Sequence, residues 1–227
     1  TKKYDFKQTA IVTNVTTQRP NNYTAYERFT PHGPIAFLPI GENRSVLVFT
    51  TLADEASHYL GMPEEQYLET IETEFGRRLG KIQEIGKRRS YPIFFVEAIQ
   101  QFQENLVLLG NSAHTIHPNA AQGFNLGLRD VAGLAECIYS ALEKKLSVDN
   151  INILNAYSEL RNSDQQRVTE FTNGIATSFY NNFSLFTPIT NTIMLLFDCI
   201  PEFKYLFLKR AMGLAGYQPR LVRGLNL

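Results

Sequence analysis

The sequence predicts an α+β protein, with a mostly antiparallel sheet carrying one helix, then a single buried strand, then an all-helical tail. Three observations predict it. β-branched and alternating runs fill roughly the first fifty residues, an apolar run at 105–109 stops at a glycine, and helical apolar spacing takes over beyond Val131.

The elements follow in order. "TAIVTNV" is rich in β-branched residues, and "YTAYERFT" alternates Tyr23, Ala25, Glu27 and Phe29 against Thr24, Tyr26, Arg28 and Thr30. "IAFLPI" and "SVLVFTTL" flank "GENR", a four-residue turn that makes them a hairpin. A helix is expected from Pro63, a favoured first-turn residue, with Tyr67, Ile71, Phe75 and Leu79 at spacing four and Gly80 as its stop. It packs on the sheet. "YPIFFVEAI" is a further strand, with Pro92 placing it at an edge or a strand start. "NLVLLG" is different in kind, since an unbroken short apolar run is the signature of a strand buried on both faces. Beyond it, Val131, Leu134, Ala135, Ile138 and Leu142 mark one helical face as far as the solvated "EKK". A long helix is expected over 151–183 and two shorter ones after it, split by Pro188 and Pro201. The domains expected are a sheet with its helix at 1–104, a strand–loop–helix at 105–145 and a helical region at 146–227.

Composition excludes more than it assigns. A chain of 227 residues has room for one large domain or two small ones, and 22 Lys and Arg balance 22 Asp and Glu, so no overall field favours nucleic acid. Cys137 and Cys199 lie far apart on the apolar sides of helical patterns, which predicts buried free thiols and a reducing, cytoplasmic setting. No apolar stretch approaches the roughly 20 residues of a spanning helix, because "TIMLLF" runs straight into Asp198. Contact with a membrane surface stays open. The chain starts at Thr1 without a leader pattern and reads as a piece of something longer.

The stretch "GNSAHTIHPNAAQGFNLGLRD", residues 110–130, is the chemically informative one. It lies between the apolar run and a helix, where free backbone N–H groups and the helix dipole favour negative charge. Gly123 and Gly127 let backbone approach closely, Pro118 fixes a turn, and Gln122 and Asn125 carry amides. Two readings stand: a cofactor loop, or an ordinary strand-to-helix connection. His114 and His117 have no third ligand at a recognisable spacing, so no metal site is assigned. His32 in "PHGP" belongs to turn chemistry, and His58 carries no neighbouring signal. Arg129 and Asp130 are read as structural, and an Arg161–Asp164 pair at spacing three is worth little if exposed. From Cys199 onward Lys204, Lys209, Arg210, Arg220 and Arg223 face only Glu202, five against one, so this end carries +4 among many aromatics. It reads either as a surface for anionic lipid or as a packed helix with solvated lysines.

"LVLLGNSAHTIHPNAAQGFNLGLRD" resembles the second flavin-binding motif of the class A flavoprotein aromatic hydroxylases, which runs Gly-Asp, small residues, His, Pro, then Gln-Gly-x-Asn-x-Gly and Asp. Within that family it is most similar to the ubiquinone-biosynthesis branch, as are "ERFTPHGPIAFLPI" and "GLAGYQPRLVRG". Asn111 stands where the motif has Asp, a feature similar to the octaprenyl-methoxyphenol hydroxylases.

The resemblance implies a p-hydroxybenzoate-hydroxylase-like FAD fold of which this chain supplies the substrate sheet and C-terminal helical part. The N-terminal dinucleotide-binding part, with its Gly-x-Gly-x-x-Gly, is missing. It implies FAD as cofactor, NAD(P)H as reductant, and oxygen transfer from a flavin hydroperoxide to a polyprenylated phenol in ubiquinone biosynthesis, with no catalytic side chain required. Gly110 and Asn111 would face the ribityl–pyrophosphate end of FAD, with weaker retention expected of an amide than of a carboxylate. Pro118 would lie beside the isoalloxazine ring. Gln122 would supply a side-chain amide to the cofactor loop, and the N–H groups around Gly123, Phe124 and Asn125 would point at the N1 and O2 edge of that ring. Phe29, Phe37, Leu38 and Pro39 are candidates to line the substrate pocket, each equally readable as sheet core. The fragment is expected neither to hold FAD firmly nor to turn over alone. Other ubiquinone-biosynthesis proteins and the inner membrane surface are the implied neighbours. The alternatives are a non-catalytic prenyl-lipid binding module and a flavin hydroxylase of another small aromatic.

Overall fold

The computed structural model describes residues 1–180 and 199–227. The chain divides into two compact units, Asp5–Ile93 and a second made of Thr1–Tyr4 with Phe94–Leu227. These differ from the expected boundaries at 104 and 145, because the strand–loop–helix segment and the helical tail share one packed body.

In the Asp5–Ile93 unit, β1 (Lys2–Thr17), β2 (Tyr26–Phe29), β3 (Pro34–Pro39) and β4 (Arg44–Leu52) form an antiparallel sheet in the order β2–β3–β4–β1, and β5 (Ile82–Ile85) pairs with the end of β1. The expected hairpin is present and closes at Pro39 opposite Ser45. Asn21 locks its turn from below, donating from Nδ2 to the carbonyls of Gly41 at 2.7 Å and Arg44 at 3.1 Å.

Because side chains alternate along a strand, the register sends Ile11, Val15, Ile35, Phe37, Leu47 and Phe49 to one face. Helices α1 (Ala56–Gly61) and α2 (Glu64–Phe75) cover that face with Tyr59, Met62, Tyr67, Ile71 and Phe75. Pro63 caps α2, and Glu64 and Glu65 complement its dipole. The helix stops at Gly76, whose φ of +89° breaks it, one turn earlier than the periodicity predicts. Leu79 still enters the core from the loop beyond. Helix α1 has six residues, too few for a periodic signal.

The same alternation separates the four pocket candidates. Phe37 and Pro39 are on the helix-covered face; Phe29, opposite Pro34, and Leu38, opposite Val46, are on the other. Phe37 is 2% exposed and packs on Phe75 with ring centroids 4.3 Å apart, so it is core and not pocket lining.

The second unit begins where β6 (Arg89–Glu97) leaves the first and pairs Val96 with Thr115 and Glu97 with His114 of β9 (His114–Thr115). "NLVLLG" is not the expected buried strand. Only Leu106–Val107 form β8, in a short hairpin with β7 (Phe102–Gln103), and Leu106 is 63% exposed. A strand buried on both faces needs neighbours on both sides, and β7 is its one partner among the described residues.

Helix α3 (Gln122–Glu143) packs along α4 (Ile151–Tyr180). The predicted long helix is therefore present, although 181–183 and Pro188 lie outside the described residues; α5 (Pro201–Ala211) is the expected helix after them. The buried face of α3 is not the expected one. Leu126, Arg129, Asp130, Ala132, Gly133 and Ala141 are buried, while Val131 and Leu142 are exposed. Small residues win that face because α4 comes close; a Cβ on Gly133 would sit 2.8 Å from Cδ of Arg161. Both cysteines are free, but Cys137 is half-buried and Cys199 exposed, against the expectation of buried thiols.

Candidate functional site

The loop from Gly110 to α3 is built from tight turns. Gly110 (φ +56°) opens a 3-10 turn, Gly110–Ser112; β9 follows; a second 3-10 turn, Pro118–Ala120, ends at Ala121, which is left-handed at φ +49°. Gly127 is favoured by close approach, since its Cβ would come within 3.3 Å of Cα of Gly110, so the 3-10 turn and the helix meet glycine on glycine. Gly123 is not favoured in this way. A Cβ there would touch only Ile116, at an ordinary 3.8 Å, so the chain's own packing does not explain the glycine and the space in front of it is open.

The first turn of α3 has no side-chain cap and no acidic residue. The N–H groups of Gln122, Gly123 and Phe124 precede the first intrahelical bond and are unused by the helix. Asn125 is where helical bonding begins, so the free donors start one residue earlier than expected. Beside them Asn111, Pro118, Asn125 and Phe124 are exposed, Phe124 by 76%. Three aligned donors, the positive end of a 22-residue helix and a glycine with open space suit an electron-rich, flat group that gains negative charge.

Gln122 departs from its expected role. Its side chain is buried, and Nε2 donates to the carbonyl of Ala211 at the end of α5, so only its backbone faces the loop.

Beneath the loop lies a buried ionic network that the sequence only hinted at. Asp130 is fully buried; Oδ2 accepts from His114 Nε2 at 2.6 Å and from the Gly110 N–H at 3.3 Å, and Oδ1 accepts from Arg161 at 3.0 Å and Gln165 at 3.1 Å. One carboxylate therefore holds the start and the middle of the loop. Burial alone would raise its pKa, but the His114 and Gln165 hydrogen bonds and the charges of His114 and Arg161 overcome it and hold the carboxyl below its usual value. Asp164 Oδ2 accepts from Arg129 Nε at 2.8 Å and forms an ion pair with Arg161 Nη1, also at 2.8 Å. The Arg161–Asp164 pair is thus buried, with Arg161 1% exposed, and not the weak surface pair its spacing alone suggests. His117, also buried, takes the Asn119 N–H on Nδ1 at 3.2 Å, and burial pushes its pKa down to about 4. The two histidines are thus engaged in separate contacts. The one available signal for the network was the mixed i, i+3, i+4 run of Arg161, Asp164 and Gln165 on a helix whose flanks, Tyr157 and Val168, are apolar.

Comparison with known proteins agrees with this geometry. The model of a family described as FAD binding domain matches residues 1–172. The chain is 35% identical over 225 residues to a protein named ubiquinone hydroxylase UbiL from Rhodospirillum rubrum, covering 98% of this chain and 52% of that protein. It is 28% identical over 211 residues to the 3-demethoxyubiquinol 3-hydroxylase of Escherichia coli, covering 93% and 54%. Among solved structures, a probable FAD-dependent monooxygenase of Pseudomonas aeruginosa, PqsL, superposes with a TM-score of 0.66 at 20% identity, over 80% of this chain and 51% of that one. The anhydrotetracycline hydroxylase OxyS of Streptomyces rimosus gives a TM-score of 0.66 at 14% identity, over 96% and 43%. The chain spans about half the length of the curated relatives it matches. An uncapped helix start, a glycine facing open space and a family match over most of the chain converge: the chain belongs to the FAD-binding domain family.

Proposed function

We propose that this chain is part of an FAD-dependent monooxygenase that hydroxylates a polyprenylated phenol in ubiquinone biosynthesis, with NAD(P)H as reductant. The observation that carries it is the first turn of α3, with its uncapped donors and unhindered Gly123. The hydroxylase names of the relatives support the reaction class.

FAD, when bound and reduced, supplies the electrons and the centre at which dioxygen reacts. The chain's own residues bind and orient. The N–H groups of Gln122, Gly123 and Phe124 hold negative charge at the flavin edge without reorganising, because the helix already aims them. Asn111 offers an amide to the ribityl side, and Pro118 and Phe124 keep water from one face. In the sheet unit the uncovered face carries Phe29, Ala36, Leu38, Val46 and Val48, an apolar surface suited to a ring with a hydrocarbon tail. Phe29 and Leu38 remain the pocket candidates.

A peripheral lipid contact belongs to the same reading. On α5 and at its C-cap, Tyr205, Leu208 and Met212 recur at helical spacing and are exposed, with Lys204 and Lys209 to either side. Apolar side chains flanked by lysines fit the boundary of an anionic bilayer, where a prenylated substrate resides.

The test is the visible spectrum of the intact protein after desalting, followed by NAD(P)H-dependent oxygen uptake. A bound flavin spectrum, and uptake stimulated by prenylated phenol, are expected. An intact, folded protein that stays colourless with added FAD would leave the non-catalytic lipid-binding module as the better account.

A further inference from the structure

We infer that the C-terminal turn Ala211–Gly216 is a positioning element for the cofactor loop, acting through Gln122 and Arg129. The inference rests on the FAD reading of that loop.

The turn is bound to α3 at its first two turns. Gln122 Nε2 donates to the Ala211 carbonyl. Gly213 (φ +69°) lies so close to the buried Arg129 that a Cβ would overlap its guanidinium, and would fall 3.2 Å from Oε1 of Gln122. Gly216 (φ +92°) lies against the exposed end of Arg167 of α4. Gly213 thus meets both demands that favour it, a left-handed φ and a space that a buried guanidinium already fills. The turn is itself held: Gln218 Nε2 donates to the Gly213 carbonyl at 2.9 Å, and Glu136 accepts from Tyr217 Oη at 2.6 Å and from the Arg220 N–H at 3.0 Å.

Beyond Arg129, which packs against Gly213, a continuous set of ion pairs and hydrogen bonds follows. Arg129 binds Asp164, Asp164 binds Arg161, Arg161 binds Asp130, and Asp130 binds Gly110 and His114. The loop is therefore gripped from two sides, by Asp130 at its start and by the C-terminal turn at its end. Arg129 and Asp130 are neighbours in sequence, so a shift of the turn that moves Arg129 also strains the grip of Asp130. The free donors of Gln122, Gly123 and Phe124 sit between the two grips. Gln122 and Gly213 are positioning residues here; neither side chain is needed to touch the cofactor.

The experiment uses the intact protein and the variants Gln122→Leu and Gly213→Ala, with two readouts. Without FAD, hydrogen exchange of the peptide spanning 121–131 reports the order of the helix start, and both variants are expected to speed it at least about tenfold while peptides of the Asp5–Ile93 unit are unchanged. With FAD, both are expected to raise the dissociation constant about tenfold and to shift the flavin midpoint potential, with the double variant costing less than the sum of the singles because both loosen the hold of one turn on α3. Exchange that matches the unsubstituted protein in both variants overturns the inference. Should the unsubstituted protein take up no FAD, the flavin reading fails, and the exchange experiment still decides whether the turn positions the loop. If one substitution prevents folding, the other decides.

Discussion

Asp130 concentrates the stability of the site in one side chain. Asp130→Asn removes one of the two carboxylates paired with Arg161 and weakens the hold on His114 and Gly110, and a loss of about 3 kcal/mol is expected in urea unfolding. Its folded pKa is depressed, so the stability it contributes is complete above the unfolded carboxyl value near 4 and is lost as pH falls through the folded value. His117 acts in the same sense but in a higher window. Its folded pKa of about 4 lies below the ordinary imidazole value of 6.5, so unfolding takes up a proton between those values. Stability should fall as pH drops from about 6.5 to 4, with a slope near 1.4 kcal/mol per pH unit. His117→Asn keeps a capping acceptor and removes the titration, so its unfolding free energy should be flatter over that interval; an unchanged slope would assign the titration to another group.

At the scale of elements, α3 has two faces with different duties. The glycine pair tests this. Gly123→Ala adds a Cβ with room for it at a helical position, so the protein without cofactor should gain about 0.5–1 kcal/mol in thermal or urea unfolding. The same methyl enters the space left for the flavin and should weaken FAD binding by about tenfold or more, roughly 1.4 kcal/mol. A gain in stability with undiminished FAD binding would remove Gly123 from the cofactor surface. Helix α5 is tested by co-sedimentation with vesicles. Leu208→Asp and the pair Lys204→Glu with Lys209→Glu should each release the intact protein from phosphatidylglycerol vesicles, and neither should alter its retention on purely zwitterionic ones. Equal retention of all forms would return α5 to the packed-helix reading. The periodicities that announced α2, α3 and α4 were legible as helices. Which side of α3 is buried was not, because Val131, Leu134, Ile138 and Leu142 form as good a stripe as Leu126, Ala132, Gly133 and Ala141, and the close approach of α4 chose the smaller one.

For the whole molecule, the proposed function divides between the two units, with an apolar sheet face in one and the loop before α3 in the other. Oxygen uptake by the intact protein should be faster with a prenylated phenol than with the same ring lacking its tail, and Leu38→Asp on the open sheet face should reduce that preference while Phe37→Ala chiefly costs stability, about 3–5 kcal/mol for a buried phenylalanine. A preference that survives Leu38→Asp would move the tail to another surface. The sequence by itself determined the α+β class, the β3–β4 hairpin, the long helices and the presence of a turn-rich loop before α3, because strand alternation, helical spacing and a run of glycines, proline and amides are local properties. Only the tertiary structure decided that Phe37 is core while Leu38 is open, that "NLVLLG" is half exposed, and that Arg129, Asp130, Arg161 and Asp164 form one buried network tied to the C-terminal turn. These outcomes depend on which surfaces meet across 30 residues or more, where the deciding quantities are desolvation and close packing, and neither is written in the spacing of residues along the chain.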